Sequence, residues 1–125
     1  MKKITSYMIP ALLVTLTLGF VAQMAVAADP MPAATENVQV LLDNDRVRVV
    51  EAIRPPGTIV PMHTHPPYLA YFFDAWKGRI TSADGKITEK EIPAGKLLWE
   101  PEGKTHALEV IGTTDQHVLV IELKK

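Results

Sequence analysis

The chain has 125 residues, with 13 lysines and arginines against 14 aspartates and glutamates, which gives a formal net charge of −1 at pH 7. This balance, without basic clusters, argues against a nucleic-acid partner, because phosphate backbones are bound mainly by grouped basic side chains. The chain contains no cysteine. Disulfides, a thiol-linked lipid anchor and thiolate metal ligands are therefore all excluded.

The N-terminal segment is typical of an export signal. Lys2 and Lys3 are followed by a mostly apolar run and by an Ala-Val-Ala sequence ending at Ala27, as a signal peptidase requires. The run is almost long enough to span a membrane, so an uncleaved anchor is the alternative. We predict a signal peptide over residues 1–27, cleavage after Ala27 or Ala28, and a periplasmic or secreted protein with no membrane contact once the leader is removed.

Residues 28–37 show no apolar periodicity and predict a flexible lead-in. From residue 38 onward the pattern is that of β-strands. Charged and apolar residues alternate over 46–54, as in a half-buried strand. Lys77-Gly78 predicts a turn between two strands, and Asp84-Gly85 predicts a type I′ hairpin turn, which needs positive φ at both central residues.

Nine short segments have strand character. They cover residues 38–42, 46–54, 59–65, 68–76, 79–83, 86–92, 97–99, 106–111 and 116–123. Eight or nine short strands separated by turns predict an all-β fold, a jelly-roll barrel or sandwich, in one domain over residues 38–125.

Three histidines form the candidate site. His63 and His65 are one residue apart, and side chains on a strand alternate between its two faces, so both project to the same side. His106 follows a Pro-x-Gly turn that could present it to the other two across a small barrel. Neutral imidazole binds Zn, Cu, Fe and Ni, so these residues are candidate metal ligands. The alternative is a solvated His-x-His loop.

The two histidine segments resemble the paired motifs of the cupin superfamily. The first motif is Gly, five residues, His-x-His, three or four residues and Glu. The second is Gly, five residues, Pro-x-Gly, two residues, His, three residues and Asn. Seven positions match: Gly57, His63, His65, Gly95, Pro101, Gly103 and His106. The resemblance implies a cupin jelly-roll β-barrel that binds one divalent metal ion through His63, His65 and His106.

Two motif positions depart from the family pattern. The Glu would fall at Leu69 or Ala70, and the Asn at Val110. Cupins commonly hold metal with three histidines and this glutamate, whereas cupin-like dioxygenases that act on thiols and β-diketones manage with three histidines. The resemblance therefore implies a three-histidine site for Fe, Mn, Zn, Ni or Cu. A stand-in carboxylate from Glu100 or Glu102 is the alternative.

Aromatic residues are candidates for the wall of a pocket beside the histidines. They are Tyr68, Tyr71, Phe73, Trp76 and Trp99. Tyr71 is the candidate catalytic residue, because a phenol near a metal can orient a polar substrate or donate a proton.

Three classes of function stay open. One is a metal-dependent enzyme, dioxygenase- or isomerase-like, acting on a small polar substrate. The second is a periplasmic module that binds metal or a small-molecule ligand without turnover, and the third is an interaction protein with a vestigial site. The resemblance also implies a homodimer that shares an edge strand or N-terminal arm.

Overall fold

The computed structural model describes residues 37–125. They form nine strands: β1 Val38–Asp43, β2 Val47–Arg54, β3 Ile59–His65, β4 Tyr68–Phe72, β5 Trp76–Ser82, β6 Ile87–Ile92, β7 Leu97–Glu100, β8 Lys104–Ile111 and β9 Gln116–Leu123. Within this range no helix is present that could cross a membrane. The all-β jelly-roll prediction is confirmed. The predicted signal peptide, and all of the lead-in except Asn37, lie outside the described residues.

The strands form two antiparallel sheets that face each other. One sheet has five strands in the order β1-β2-β9-β4-β7, and the other has four in the order β3-β8-β5-β6. Alternate side chains from both sheets fill the space between them. This core contains Ala52, Val60, Tyr68, Ala70, Phe72, Trp76, Leu108, Val110, Val118 and Val120.

The turn predicted at Lys77-Gly78 is wrong. β4 ends at Phe72 and β5 already begins at Trp76, so the chain bends at residues 73–75. Gly78 lies within β5 beneath the indole ring of Trp76, and a Cβ at position 78 would clash with that ring. Glycine is present because an aromatic ring approaches the backbone, a use that sequence alone does not distinguish from a turn.

The hairpin between β5 and β6 is present, but its predicted type I′ turn is wrong. Gly85 has a φ of 86°, whereas no described residue other than glycine has a positive φ. The Gly85 N–H donates to the Ser82 carbonyl at 2.9 Å, and the Ser82 N–H donates to the Lys86 carbonyl at 2.9 Å. Residues 83–85 thus form a three-residue loop, which needs a left-handed conformation only at its glycine.

Candidate metal site

A bulge in β3 turns both histidines of the first motif inward. Val60, His63 and His65 are all buried, although strict alternation would put Val60 and His63 on opposite faces. The pairing of β3 with β8 shifts register between Val60 and His63, and the two intervening residues are exposed. A bulge of this kind re-aims the side chains beyond it. The barrel therefore receives one apolar residue and then two imidazoles from the same strand.

The second motif brings His106 against this pair. His63 and His106 are direct partners in the antiparallel register of β3 and β8. Gly103 has a φ of 71°, and a Cβ there would clash with the carbonyl oxygen of His65. Only glycine allows this close approach of the Pro-x-Gly turn to the end of β3.

The three imidazoles converge inside the barrel. Their ring centroids lie 4.7 Å apart for His63 and His65, 4.8 Å for His63 and His106, and 5.3 Å for His65 and His106. One nitrogen from each ring lies within 4.8 Å of the others. The three buried histidines are thus close enough together to hold a metal ion.

Fixed tautomers point two lone pairs at each other. The Nδ1 of His63 lies 2.8 Å from the carbonyl oxygen of Pro61, and the Nδ1 of His65 lies 2.7 Å from Oε1 of Glu122. A carbonyl and a carboxylate accept only, so each Nδ1 must carry the proton. In the neutral rings both Nε2 atoms are then acceptors, yet they lie 2.9 Å apart. Two acceptors at this distance repel each other unless they share a proton or bind one metal ion together.

His106 completes the set with two nitrogens that have no hydrogen-bond partner among residues 37–125. Buried polar groups are nearly always paired, so an exception points to an absent partner. Burial, together with the charges of His63 and His65, lowers the pKa of His106 to about 3. Burial also lowers the pKa of His63. Both rings are neutral at pH 7, which is the form that binds metal.

Glu122 is a site residue that the sequence motifs miss. It is buried, it accepts from His65, and its Oε2 lies 3.3 Å from the Arg48 guanidinium. Burial raises the pKa of Glu122, but the hydrogen bond from His65 and the Arg48 charge outweigh it and hold this pKa below its ordinary value. A carboxylate that orients a ligating imidazole in this way is a regular feature of metal sites.

Arg54 and Gln116 add a second buried polar pair to the wall beside the histidines. The Arg54 Nη1 donates to Oε1 of Gln116 at 2.6 Å. Burial lowers the pKa of Arg54 to about 10, so it stays charged at neutral pH. Its charge adds to the effect of burial on the pKa of His63.

Strand parity is the sequence signal that could have revealed these residues. On β9 the buried positions are Gln116, Val118, Val120 and Glu122. On β2 they include Val50, Ala52 and Arg54. A charged residue at an inward-facing position of such a strand loses solvation free energy unless it has a partner. Its presence there therefore indicates a buried polar site.

An apolar cavity of about 170 Å³ adjoins the three histidines. His106 and Gln116 lie at its junction with the histidine pocket, because they line both spaces. The walls are mainly aromatic and aliphatic, with polar side chains from Lys90, Glu100 and Lys104. Trp76 also lines the cavity, and its buried Nε1–H has no hydrogen-bond partner among residues 37–125.

Tyr71 does not join the histidines. It alternates with Ala70 and Phe72, which face the barrel interior, and it is 38% exposed on the opposite side of β4. The tyrosine beside the site is Tyr68, whose ring centroid lies 4.6 Å from that of His65. Among the aromatic candidates, Tyr68 and Trp76 line the cavity, whereas Phe73 and Trp99 are exposed.

Solved structures share this architecture. A cupin domain from Bordetella pertussis Tohama I is 26% identical with a TM-score of 0.63, and the match covers 70% of this chain and 92% of that one. The chain belongs to the cupin superfamily. A cupin family protein with a double-stranded β-helix fold, from Methanocaldococcus jannaschii, is 16% identical with a TM-score of 0.58, over 72% and 81% of the two chains.

A polyketide cyclase from Streptomyces resistomycificus is similar in fold to this cupin, at 22% identity and a TM-score of 0.56, over 78% of this chain and 70% of that one. No protein-family model and no curated protein sequence matches the chain. At the position of the first-motif glutamate, this cupin carries Ala70 inside the barrel, where it lines the histidine pocket, and Leu69 outside.

Proposed function

We propose that this cupin binds one divalent transition metal ion through His63, His65 and His106. The observation that carries the proposal is the 2.9 Å approach of two Nε2 atoms whose protons are both held at Nδ1. Two facing lone pairs repel each other in a buried pocket, and a cation held by both removes the repulsion. His106 supplies the third nitrogen from the neighbouring strand.

A metal ion satisfies this arrangement better than a proton. The pKa of His63 and that of His106 are both lowered, chiefly by burial, so a proton is held weakly there at neutral pH. Three neutral imidazoles are instead a good donor set for Zn, Cu, Fe or Ni. Glu122 adds negative charge behind His65, which strengthens that imidazole as a ligand.

The cavity beside the histidines supports a role with a small organic molecule. A metal ion bound here would supply Lewis-acid polarisation of an oxygen on that molecule. The cavity walls select for an apolar body, and the Trp76 Nε1–H offers a hydrogen bond to one acceptor group. Burial is the main factor that raises the pKa of Tyr68, so its phenol stays protonated and can donate.

Two outcomes remain for a molecule in this cavity. Metal-dependent turnover is supported by the three-nitrogen donor set, which leaves coordination positions for a substrate. Binding without turnover is supported by the lack of a free general base in the cavity walls. Among the described residues that line the cavity, Glu100 is the one carboxylate, and it is paired with Lys104 at 3.5 Å.

Metal content tests the proposal, because the chain has four histidines and the fourth is a matched control. His117 lies on the opposite face of β9, where its Nε2 is 2.7 Å from Glu51. Purified protein should contain one metal ion per chain by mass spectrometry. His63→Ala, His65→Ala and His106→Ala should each lose it, and His117→Ala should keep it. Retention of stoichiometric metal in folded His106→Ala would overturn the three-histidine site.

Export completes the proposed function. The support is the basic start, apolar run and Ala-Val-Ala sequence within residues 1–27. We propose that the metal site operates in the periplasm or outside the cell. Fractionation with intact-mass measurement tests this, and a retained Met1 on membrane-bound protein would contradict it.

A further inference from the structure

Three charged side chains line the apolar cavity that adjoins the histidines. They are Lys90 on β6, Glu100 on β7 and Lys104 on β8. Glu100 and Lys104 form an ion pair at 3.5 Å, so their charges offset each other. Lys90 takes part in no ion pair within residues 37–125, because the glutamates on either side of it pair with other residues. The cavity wall therefore carries one positive charge that is not balanced.

Strand parity puts Lys90 on the inner side of β6. The residues before and after it point outward, where they pair with Arg79 and Lys77. Ile92, two positions further on, packs against the core, and side chains two positions apart on a strand share a side. β6 is the edge strand of its sheet, and Lys90 is exposed. The cavity therefore reaches solvent at this lysine.

The hydrogen-bonding groups of the cavity wall favour a ligand that accepts. The Nε1–H of Trp76 is buried without a partner among residues 37–125, and an ammonium group only donates. The carboxylate and amide oxygens of the wall are already engaged. Glu100 is held in its ion pair, and Oε1 of Gln116 accepts from the Arg54 guanidinium at 2.6 Å. A ligand that supplies acceptor oxygens complements this wall.

We propose that the cavity binds a small monocarboxylic acid with an apolar body, whose carboxylate is held by Lys90. A carboxylate accepts hydrogen bonds and donates none, and its charge offsets that of the lysine. Charge-assisted hydrogen bonds are about twice as strong as neutral ones, so the acid binds better than a neutral molecule of the same shape. This inference rests on the part of the proposed function that places a small organic molecule in the cavity.

The volume of the cavity limits the size of the acid. It is about 170 Å³, the volume that roughly six water molecules occupy in the liquid at about 30 Å³ each. A chain of about five carbon atoms with a terminal carboxylate fills this space. Phe72, Ile80 and Leu98 are among the apolar residues that surround such a chain. Pentanoate is therefore a suitable probe.

Three probes of similar shape and different charge test the proposal: pentanoate, pentanamide and pentylamine. The chain has two tryptophans, which give two indole N–H signals in the NMR spectrum of ¹⁵N-labelled protein. Trp76 lines the cavity, whereas Trp99 lies on the outer side of β7 and is an internal control. Pentanoate should shift the Trp76 signal and leave that of Trp99 in place. It should bind about tenfold more tightly than pentanamide, and pentylamine more weakly than either.

Three charge-changing variants assign the preference to Lys90. Lys90→Gln should bind pentanoate about tenfold more weakly, with an affinity close to that for pentanamide. Lys86→Gln is the matched control, because Lys86 is exposed next to the same strand and does not line the cavity. It should keep the full preference. Glu100→Gln removes the negative charge of the wall and should bind pentanoate at least as tightly as the unmodified protein. Thermal melts followed by circular dichroism verify that each variant is folded.

The metal site is tested separately, by metal content. His65→Ala should lose the metal ion, but His65 does not line the cavity, so this variant should still prefer pentanoate. Metal-free protein with that preference would contradict the metal site alone, whereas protein with one metal ion and no preference would overturn this inference alone. Absence of pentanoate binding, a shift of Trp99 alone, or a preference that persists in folded Lys90→Gln would also overturn it. Loss of the preference in folded His65→Ala would do the same, because the carboxylate would then bind the metal ion.

Discussion

Replacing Glu122 by glutamine tests how the site holds its metal. The substitution keeps the size of the side chain but replaces one acceptor oxygen with a donating amide. In the protein, one carboxylate oxygen accepts from His65 at 2.7 Å and the other faces the Arg48 guanidinium at 3.3 Å. Glutamine satisfies only one of these two donors.

Both orientations of the new amide are unfavourable. If its oxygen faces His65, its NH₂ group faces the donating guanidinium of Arg48. If it flips, its NH₂ group faces His65 Nδ1, which must then lose its proton and move it to Nε2, the nitrogen that binds metal. Loss of an outer carboxylate typically weakens metal affinity by about 10- to 100-fold, which is about 1.4 to 2.7 kcal/mol.

Isothermal titration with Zn²⁺ at neutral pH measures this effect. Glu51→Gln is the matched control, because Glu51 contacts His117 Nε2 at the same 2.7 Å distance but on the outer face. We expect weaker binding for Glu122→Gln and unchanged binding for Glu51→Gln. The assigned tautomer of His65 would be refuted if folded Glu122→Gln bound Zn²⁺ as tightly as the unmodified protein does while His65→Ala did not bind Zn²⁺.

Four further outcomes are expected. Without metal, the free energy of unfolding should fall as the pH drops from about 6.5 towards 3, by about 2 kcal/mol at pH 5 from His106 alone. The reason is that His106 in the unfolded chain binds a proton in this range, whereas in the folded protein, with a pKa of about 3, it stays neutral. Urea denaturation at several pH values measures this, and a flat profile would contradict it. Zn²⁺ at 100 times its Kd should stabilise the protein by about 2.7 kcal/mol, seen as a higher melting temperature that is absent in His106→Ala. Gly78→Ala should destabilise the fold by about 1–3 kcal/mol through its clash with Trp76, and an unchanged melt would argue against that ring position. Glu100→Gln should leave Zn²⁺ affinity unchanged, because Glu100 is not in the histidine cluster.

The motif histidines could be predicted because their spacing is a local property. His63 and His65 differ by two positions, and a strand of any register places both on one side. The bulge before His63 could not be predicted, since it depends on how β3 pairs with β8. Parity alone would have placed Val60 and His63 on opposite faces, so the inward direction of the pair was fixed by tertiary pairing.

Glu122 and Tyr71 show what a motif leaves out. Glu122 lies 57 residues beyond His65 in sequence, and only the pairing of β9 with β2 and β4 brings it into the barrel. Tyr71 follows the first motif closely, but closeness in sequence does not decide which side of β4 a residue occupies. Its neighbours Ala70 and Phe72 take the inward positions.

The last strand carries a site residue on its inward side and apolar residues on its outward side. On β9 the inward series ends in Glu122, which orients a candidate metal ligand, while the outward series includes Leu119 and Ile121. Successive residues of one strand thus serve separate purposes, because their side chains point to opposite sides of one sheet. A one-residue slip of β9 would bury Ile121 beside His65 and expose Glu122. The apolar outward residues of β9 therefore do not specify this register by themselves. The ion pairs of Glu122 with His65 and Arg48 favour it, since the slipped arrangement would lose both.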